Sequence, residues 1–140
     1  MKYLLDTCVI SELVRSQPAQ VVIEWFKQQS EHNLFLSVLT FGEIEKGIEK
    51  SVSLDQKKKL ALWVEHDLKQ RFEKRIIPID LAVAAEWGRV QESCEKKGLP
   101  MPAIDGLIAV SALVYQCTVV TRNTEDMRQS GVRLLNPWNA

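Results

Sequence analysis

The sequence has few of the residue types on which several common catalytic sites are built. It contains only three cysteines and two histidines in 140 residues. Cys8, Cys94 and Cys117 are odd in number, lie far apart and form no C-x-x-C pair, so we expect reduced, mostly buried thiols rather than a disulfide framework or a zinc site. His32 falls in a polar turn and His66 in a charged helix, which leaves a serine or cysteine nucleophile without a nearby base.

Glycine-rich turns and a net charge are also missing. The six glycines form no cluster after the first apolar run, which excludes a P-loop or a dinucleotide-binding turn. Eighteen Lys and Arg balance eighteen Asp and Glu, so the formal charge is zero. Nucleic acid would therefore not be held by a general basic coat. Any nucleic-acid role must depend on a defined site.

Long hydrophobic runs are absent as well. The longest uncharged stretch, residues 106–121, has 16 residues and includes polar side chains, which is too short and too polar for a transmembrane helix. Only three residues separate Lys2 from Asp6, which leaves no room for the apolar region of a secretory signal. We expect a cytoplasmic protein with no membrane contact. With 46% hydrophobic residues and no linker or repeat, residues 1–140 are predicted to form one domain.

Short apolar runs alternate with helical patterns along the chain, which predicts an α/β fold around a parallel sheet of four to five strands. The predicted strands are 2–5, 34–37, 75–79, 117–121 and a short edge strand at 132–135, with Pro78 marking the end of the third. Helices are predicted to begin near Ser16 and Pro18, at Thr40, after a Ser53 cap, after an Asp80 cap, and at the almost uncharged segment from Ile104.

Four acidic side chains differ from the others, most of which lie on helix faces beside Lys or Arg. Asp6 follows the first strand, Glu43 lies in the first turn after the second, Asp105 begins the uncharged helix, and Asp126 follows the fourth strand. Three have ordinary alternatives: Asp6 could cap a helix, Glu43 could complement the positive end of its helix, and Asp126 could be a first-turn acid. Because the carboxyl ends of parallel strands meet at one crevice, we expect the four side chains to converge.

Carboxylates that converge without an obligatory arginine repel one another unless a cation is bound. Oxygen ligands without His or Cys select a hard ion, Mg²⁺ or Mn²⁺. An ion held in this way keeps open positions for a phosphate oxygen and for a water whose pKa it lowers. The pattern therefore predicts phosphodiester hydrolysis.

Four short motifs, in order over almost the whole chain, resemble those of PIN-domain ribonucleases. They are Leu4-Leu5-Asp6-Thr7 through Ser11-Glu12, then residues 41–47 around Glu43, residues 102–109 around Asp105, and Thr121-Arg122-Asn123 with Asp126. The likeness is strongest to the VapC toxins of bacterial toxin–antitoxin pairs, in particular to the branch of FitB-like plasmid-stability proteins. The resemblance implies a three-layer α/β/α fold and an endoribonuclease that depends on Mg²⁺, for which Mn²⁺ can substitute.

The resemblance also implies roles for individual residues. Asp6, Glu43 and Asp105 match three acidic positions of the family. Asp6 and Asp105 would be metal ligands, and Glu43 either a ligand or the residue that orients the attacking water. The fourth position is open between Asn123 and Asp126; we expect Asp126 to supply the carboxylate, with Asn123 as a polar neighbour that contacts substrate.

Thr7 and Thr121 resemble the hydroxyls that line this site, although either could instead satisfy a backbone group at a strand end. Arg122 and Arg128 are stronger candidates for RNA contacts than the run Lys57–Lys59, which is typical of a solvated helix face.

VapC toxins typically form dimers and are inhibited by a small antitoxin. The resemblance therefore implies RNA as the substrate, a cognate antitoxin as a partner, and a homodimer or a higher toxin–antitoxin assembly. The alternative is a PIN-like interaction or DNA-binding regulatory subunit without turnover.

Overall fold

Five short strands form one parallel sheet with the first strand at its centre. A computed structural model describes all 140 residues. The strands are β1 (Lys2–Leu5), β2 (Leu34–Ser37), β3 (Ile76–Ile77), β4 (Cys117–Val120) and β5 (Leu134–Leu135), in the order β3-β2-β1-β4-β5. The predicted bounds of β1 and β2 are confirmed, whereas the other three strands are shorter than predicted. β3 ends before Pro78, which has no N–H to donate to a ladder.

Seven α-helices fill the intervals between the strands. They are α1 (Thr7–Leu13), α2 (Gln20–Lys27), α3 (Val38–Lys50), α4 (Leu54–Trp63), α5 (Leu81–Lys96), α6 (Ala103–Tyr115) and α7 (Thr124–Met127). α4 continues through a π-helical segment (Val64–Leu68) and a last α turn (Lys69–Arg71). None of these helices combines the length and the apolar character needed to cross a lipid bilayer.

The sheet separates two apolar cores, because successive residues of a strand face opposite sides. Leu5 and Val120 pack with residues of α1, α2, α3 and the π segment. Leu4 and Val119 pack instead with residues of α6 and α7, and α5 packs along α6. The predicted three-layer α/β/α fold is confirmed.

Two helices begin at other residues than predicted. α2 begins at Gln20 rather than near Ser16, because the carboxylate of Glu12 accepts the N–H of Ala19 at 2.7 Å and so replaces a local cap. α3 begins directly after β2, where the Ser37 hydroxyl accepts the N–H of Leu39 at 3.1 Å. Glu43 therefore lies in the second turn of α3, too far from the helix end to complement its positive dipole as the ordinary alternative required.

The predicted Ser53 cap is present, since its hydroxyl accepts the N–H of Gln56 at 3.3 Å. The apolar residues that follow recur strictly every four positions, whereas an α-helix has 3.6 residues per turn, so such a stripe drifts around the surface. The π segment contains a hydrogen bond from the N–H of Lys69 to the carbonyl of Val64, five residues back. This wider turn compensates the drift and keeps Val64, Leu68 and Phe72 buried.

The helix predicted after Asp80 is α5, and the Asp80 carboxylate caps it by accepting the N–H of Val83 at 2.9 Å. Its inner face contains one buried polar side chain. Gln91 is buried, whereas Val90 is only half-buried. The Gln91 amide donates to the carbonyl of Met101 at 3.1 Å and accepts its N–H at 3.3 Å, so the buried polar group is fully paired.

We expect Ser37→Ala to lower the free energy of unfolding by about 1 kcal/mol, because the first turn of α3 loses its cap while the residue is fully buried. Urea denaturation followed by circular dichroism measures the change. Ser16→Ala is the control: Ser16 is exposed and caps no helix, so its loss should leave the midpoint unchanged. Equal destabilisation by both substitutions would contradict the assigned helix starts.

Candidate active site

Asp6 and Thr121 meet at the topological switch point of the sheet, between β1 and β4. From β1 the chain continues to β2 on one side, whereas β4 lies on the other side, so the carboxyl ends of β1 and β4 flank the crevice where open parallel sheets bind ligands. The Thr121 hydroxyl donates to Asp6 Oδ2 at 2.7 Å, and the N–H of Thr7 donates to Oδ1 at 2.8 Å. Both carboxylate oxygens are thus fixed in a side chain that is 4% exposed. Asp6 also occupies the cap position of α1, so its structural and site roles coexist.

Thr7 connects Asp6 to Glu43. Its hydroxyl donates to Glu43 Oε1 at 2.5 Å and lies 3.2 Å from the hydroxyl of Thr40. Thr40 is fully buried and lies one turn before Glu43 on α3. The first turn of α1 therefore sets the position of an acid on another helix. Glu43 Oε2 makes no hydrogen bond and remains available for a ligand.

Asp105 lies in the first turn of α6, beside the other acids. The pKa of its carboxyl is raised from an ordinary value of 3.8 to about 6, first by burial and then by the negative charges of Asp6, Asp126 and Glu43. Each of these three charges is near enough to act on Asp105, although the four carboxylates do not form a closed cluster. No basic side chain contributes to the shift.

Close packing of two helices holds Asp105 in place. The next residue, Gly106, is buried, and a methyl group in place of its hydrogen would come within 3.4 Å of Met101 Cε and Trp87 Nε1. Trp87 of α5 thus packs against the α6 backbone beside Asp105. The indole N–H of Trp87 is the single buried side-chain polar atom without a hydrogen-bond partner.

Asp126 and Asn123 lie together in the segment after β4, and the structure separates their roles. Asp126 is exposed on α7, from where its charge reaches Asp105. Asn123 precedes α7 but forms no side-chain cap; its backbone N–H donates to the Thr121 hydroxyl at 3.0 Å. Thr121 therefore serves both a backbone group and Asp6, which unites the two alternatives for this residue.

The donors suit a hard cation in type, although they are not yet a closed ligand set. Every group is a carboxylate or hydroxyl oxygen, and His32 and His66 are both exposed on other parts of the surface. No three His, Cys, Asp or Glu side chains lie close enough together to hold an ion as they stand. Like-charged carboxylates keep apart at distances over which they still shift one another's pKa. Binding a divalent cation would require their side chains to close up around it.

Arg122 has two partners that the sequence did not suggest. Its guanidinium carbon lies 4.8 Å from the ring centre of Trp138, and Trp138 packs against the core beneath α1 and α2. Arg122 also lies close enough to Glu12 to help lower the pKa of that carboxyl, which depends first on the hydrogen bond from the Ala19 N–H and also on Arg15. The expected RNA contact at Arg122 is thus also a structural clasp between the site and the C-terminal turn.

Glu12 is a buried acid that the sequence pattern did not single out. It is 5% exposed and lies among apolar residues of α1. An acid within an apolar helix was the signal that selected Asp105, and the same signal applied to Glu12. Arg128, the second expected RNA contact, is exposed and forms an ion pair with Glu125 at 2.6 Å.

Comparison with known proteins gives a consistent result. A family described as the PIN domain matches residues 3–130. The chain is 33% identical over 136 residues to Toxin FitB of Neisseria gonorrhoeae (97% of this chain, 98% of the relative). It is 31% identical over 137 residues to the plasmid stability protein StbB of Pseudomonas syringae pv. tomato (98% and 99%). It is also 27% identical over 135 residues to the VapC ribonuclease Y4jK of Sinorhizobium fredii (96% of each).

Solved structures agree with the sequence relatives. The chain superimposes on the crystal structure of FitAcB from Neisseria gonorrhoeae with a TM-score of 0.94 and 33% identity, covering 99% of both chains. A toxin–antitoxin complex from Klebsiella pneumoniae shares the fold, with a TM-score of 0.68 at 17% identity over 97% of this chain and 98% of that one. The resemblance drawn from the four motifs is confirmed.

We expect Asp105→Asn to stabilise the protein at neutral pH by removing a charge that its neighbours repel. A folded-state pKa of about 6, against an ordinary 3.8, corresponds to about 3 kcal/mol, which solvent screening of this half-exposed group reduces to about 1 kcal/mol. Because the folded pKa is raised, the wild-type protein loses this stability as pH rises through the window from about 4 to 6. Urea titrations in EDTA should therefore separate variant and wild type at pH 7 but not at pH 4.

Asp67→Asn is the control for that measurement, since Asp67 is exposed and outside the site. A gain in stability from Asp67→Asn equal to that from Asp105→Asn, or a gain from Asp105→Asn that does not vary with pH, would show that carboxylate repulsion is not its cause.

We expect Arg122→Ala to lower the free energy of unfolding by about 0.5–1 kcal/mol, because the stack on Trp138 is lost. Arg122→Lys should recover part of this loss, since the charge near Glu12 is retained without the planar stack. Arg128→Ala, which breaks only an exposed ion pair, should change stability by less than about 0.5 kcal/mol. Thermal and urea unfolding measure the stability of all three variants. Unchanged stability in Arg122→Ala would show that the contact between Arg122 and Trp138 does not stabilise the fold.

Proposed function

This chain belongs to the PIN-domain family, and from that premise we propose that it is a Mg²⁺-dependent endoribonuclease toxin neutralised by a cognate antitoxin. The observation that carries the proposal is the coupling of Asp105 to Asp6, Asp126 and Glu43, without a basic side chain among them. Uncompensated acids at the switch point of a parallel sheet are costly for stability. A bound metal cation would offset this cost, because no basic side chain of the protein does so.

Asp6 and Asp105 would hold the ion, with Asp126 as the fourth carboxylate of the site. Hydrogen bonds from the Thr7 N–H and the Thr121 hydroxyl fix the Asp6 carboxylate before any ligand arrives, which reduces the rearrangement that binding requires. A bound Mg²⁺ would stabilise the negative charge that develops on the phosphate and lower the pKa of a water.

Glu43 has one committed oxygen and one free oxygen. Oε1 accepts the Thr7 hydroxyl at 2.5 Å, which orients the carboxylate. Oε2 can then either complete the ligand set or accept a proton of the water that attacks phosphorus. In the second role the attacking water would lie on the α3 side of the site, and the departing ribose oxygen would take a proton from solvent.

The relatives support the choice of substrate and partner. The names VapC ribonuclease Y4jK and Toxin FitB indicate RNA cleavage and toxicity for those proteins, and the Klebsiella structure is described as a toxin–antitoxin complex. We extend these properties to this chain because the similarity runs over almost its whole length. A homodimer, or a higher assembly with the antitoxin, and a cytoplasmic location remain predictions.

Purified protein should cleave single-stranded RNA in Mg²⁺ and stop in EDTA. Asp6→Asn and Asp105→Asn should each reduce kcat by at least about 100-fold, because each removes a charge from the ion-binding set. Asp55→Asn, an exposed acid at the start of α4, is the control and should cleave as the wild type does. Gel electrophoresis of labelled RNA, with single-stranded DNA in parallel, gives the rates.

Measuring Mn²⁺ binding distinguishes a variant that no longer binds metal from one that binds metal but no longer cleaves RNA. Mn²⁺ should raise the melting temperature of the wild-type protein and of Asp55→Asn, but not of Asp6→Asn. Cleavage that persists in EDTA and in Asp6→Asn would refute the metal-nuclease proposal. A protein that binds DNA or a partner without cleaving RNA would instead be the regulatory subunit considered above.

A further inference from the structure

We propose that a groove beside the carboxylates holds the RNA strand on one side of the scissile phosphate, an assignment that rests on the proposed function. This α3 groove has a volume of about 440 Å³. Leu39, Gly42, Glu43 and Gly47 form its α3 floor, Ile104 of α6 closes one side, and Lys46 and Lys50 line the end away from the site.

The groove is continuous with the catalytic carboxylates. Glu43 belongs to both, and Ile104 is the residue next to Asp105. A strand whose phosphate lies between Glu43 and Asp105 therefore enters the α3 groove directly. The cavities that include Lys2, Ile10, Glu86 and Val38 contain none of the four acids.

Two lysines give the groove its positive charge. Lys46 and Lys50 follow Glu43 by three and seven residues, so all three lie on one face of α3, and Lys50 is about 10 Å along the helix from Glu43. Neither lysine forms an ion pair, and Glu43 is the only acid that lines the groove. Both ammonium groups are thus available to a polyanion that extends away from the site.

Two glycines keep the floor of the groove flat. Gly42 and Gly47 lie inside α3, where glycine weakens a helix relative to alanine. A methyl group at either position would meet no atom of the protein within 4 Å. Packing within this chain therefore gives no reason for a glycine at these positions, whereas a ligand that lies against the helix backbone does.

The apolar part of the groove suits a nucleobase. Ile104 is 40% exposed although it borders a highly polar site, and Leu39 is half-buried opposite it. An apolar surface next to two cations fits a nucleotide, with its base against Ile104 and its phosphates toward Lys46 and Lys50.

The salt dependence of RNA binding tests the lysines. Binding of a fluorescent single-stranded RNA of about twenty nucleotides is followed by anisotropy in Mg²⁺, in the Asp6→Asn background so that the RNA stays intact. The double substitution Lys46→Gln/Lys50→Gln should remove two phosphate contacts. The negative slope of the log association constant against log salt concentration should become about 1.4 shallower, and binding should weaken about tenfold. In the active protein, the double substitution should raise KM more than it lowers kcat.

Lys2→Gln/Arg133→Gln is the matched control. Lys2 begins β1, at the edge of the sheet opposite Asp6, and it lines a separate depression together with Arg133. This pair removes the same charge and should leave the salt slope unchanged. An equal loss in both double variants would mean that overall charge, not the α3 groove, attracts RNA.

Gly47→Ala tests the groove by shape without changing its charge. The added methyl group should raise the melting temperature, because it favours the helix and meets nothing in the protein, yet it should raise KM for RNA at least about threefold by obstructing the floor. Gly88→Ala is its control, since Gly88 is an exposed glycine inside α5 with equally open surroundings and lies outside the groove. It should stabilise the protein without affecting KM.

The outcomes distinguish this assignment from the proposed function. Wild-type protein that neither binds nor cleaves RNA contradicts the proposed function. Wild-type cleavage combined with an unchanged salt slope in Lys46→Gln/Lys50→Gln, and an unchanged KM in Gly47→Ala, contradicts the groove alone. If Lys46→Gln/Lys50→Gln no longer co-purifies with the antitoxin but still binds RNA as the wild type does, the groove binds a peptide and the proposal is wrong.

Discussion

The hydrogen bond from the Thr121 hydroxyl to the Asp6 carboxylate joins the ends of β1 and β4 at the topological switch point of the sheet. It holds a buried negative charge, which would be costly without a partner. Thr7, next to Asp6, extends this anchor to Glu43 on α3. The Asn123 N–H extends it into the segment that carries Asp126. The hydrogen bond between the ends of β1 and β4 is therefore the contact to which the helices that carry Glu43 and Asp126 are connected.

The four site acids account for the charge balance of the chain. If the four site acids are set aside, 18 basic residues stand against 14 acidic ones. The formal charge of zero is thus the sum of an acidic centre and a mildly basic remainder, of which Lys46 and Lys50 line the groove that includes Glu43. A divalent cation would neutralise part of the centre and allow that remainder to attract phosphate.

Sequence reasoning succeeded where the signal was local and failed where it was not. The ends of β1 and β2 followed from apolar runs that stop at Asp6 and Ser37. Three of the four acids were selected by their places after strands, and Asp105 by its place at the start of an uncharged helix. The start of α2 could not be predicted, because its cap comes from Glu12, seven residues before Ala19. The stack of Arg122 on Trp138 and the groove around Lys46 depend on packing between distant segments, which periodicity does not encode.

The position of β1 between β2 and β4 has a consequence for the order of folding. Asp6 and Thr121 are 115 residues apart in the chain, and contacts at such separation form late because a long loop must close first. A partly folded chain that contains β1, β2 and β3 has Asp6 and Glu43 but neither Asp105 nor Asp126 in place. The four carboxylates therefore come together only when β4 and α6 join the strands that precede them.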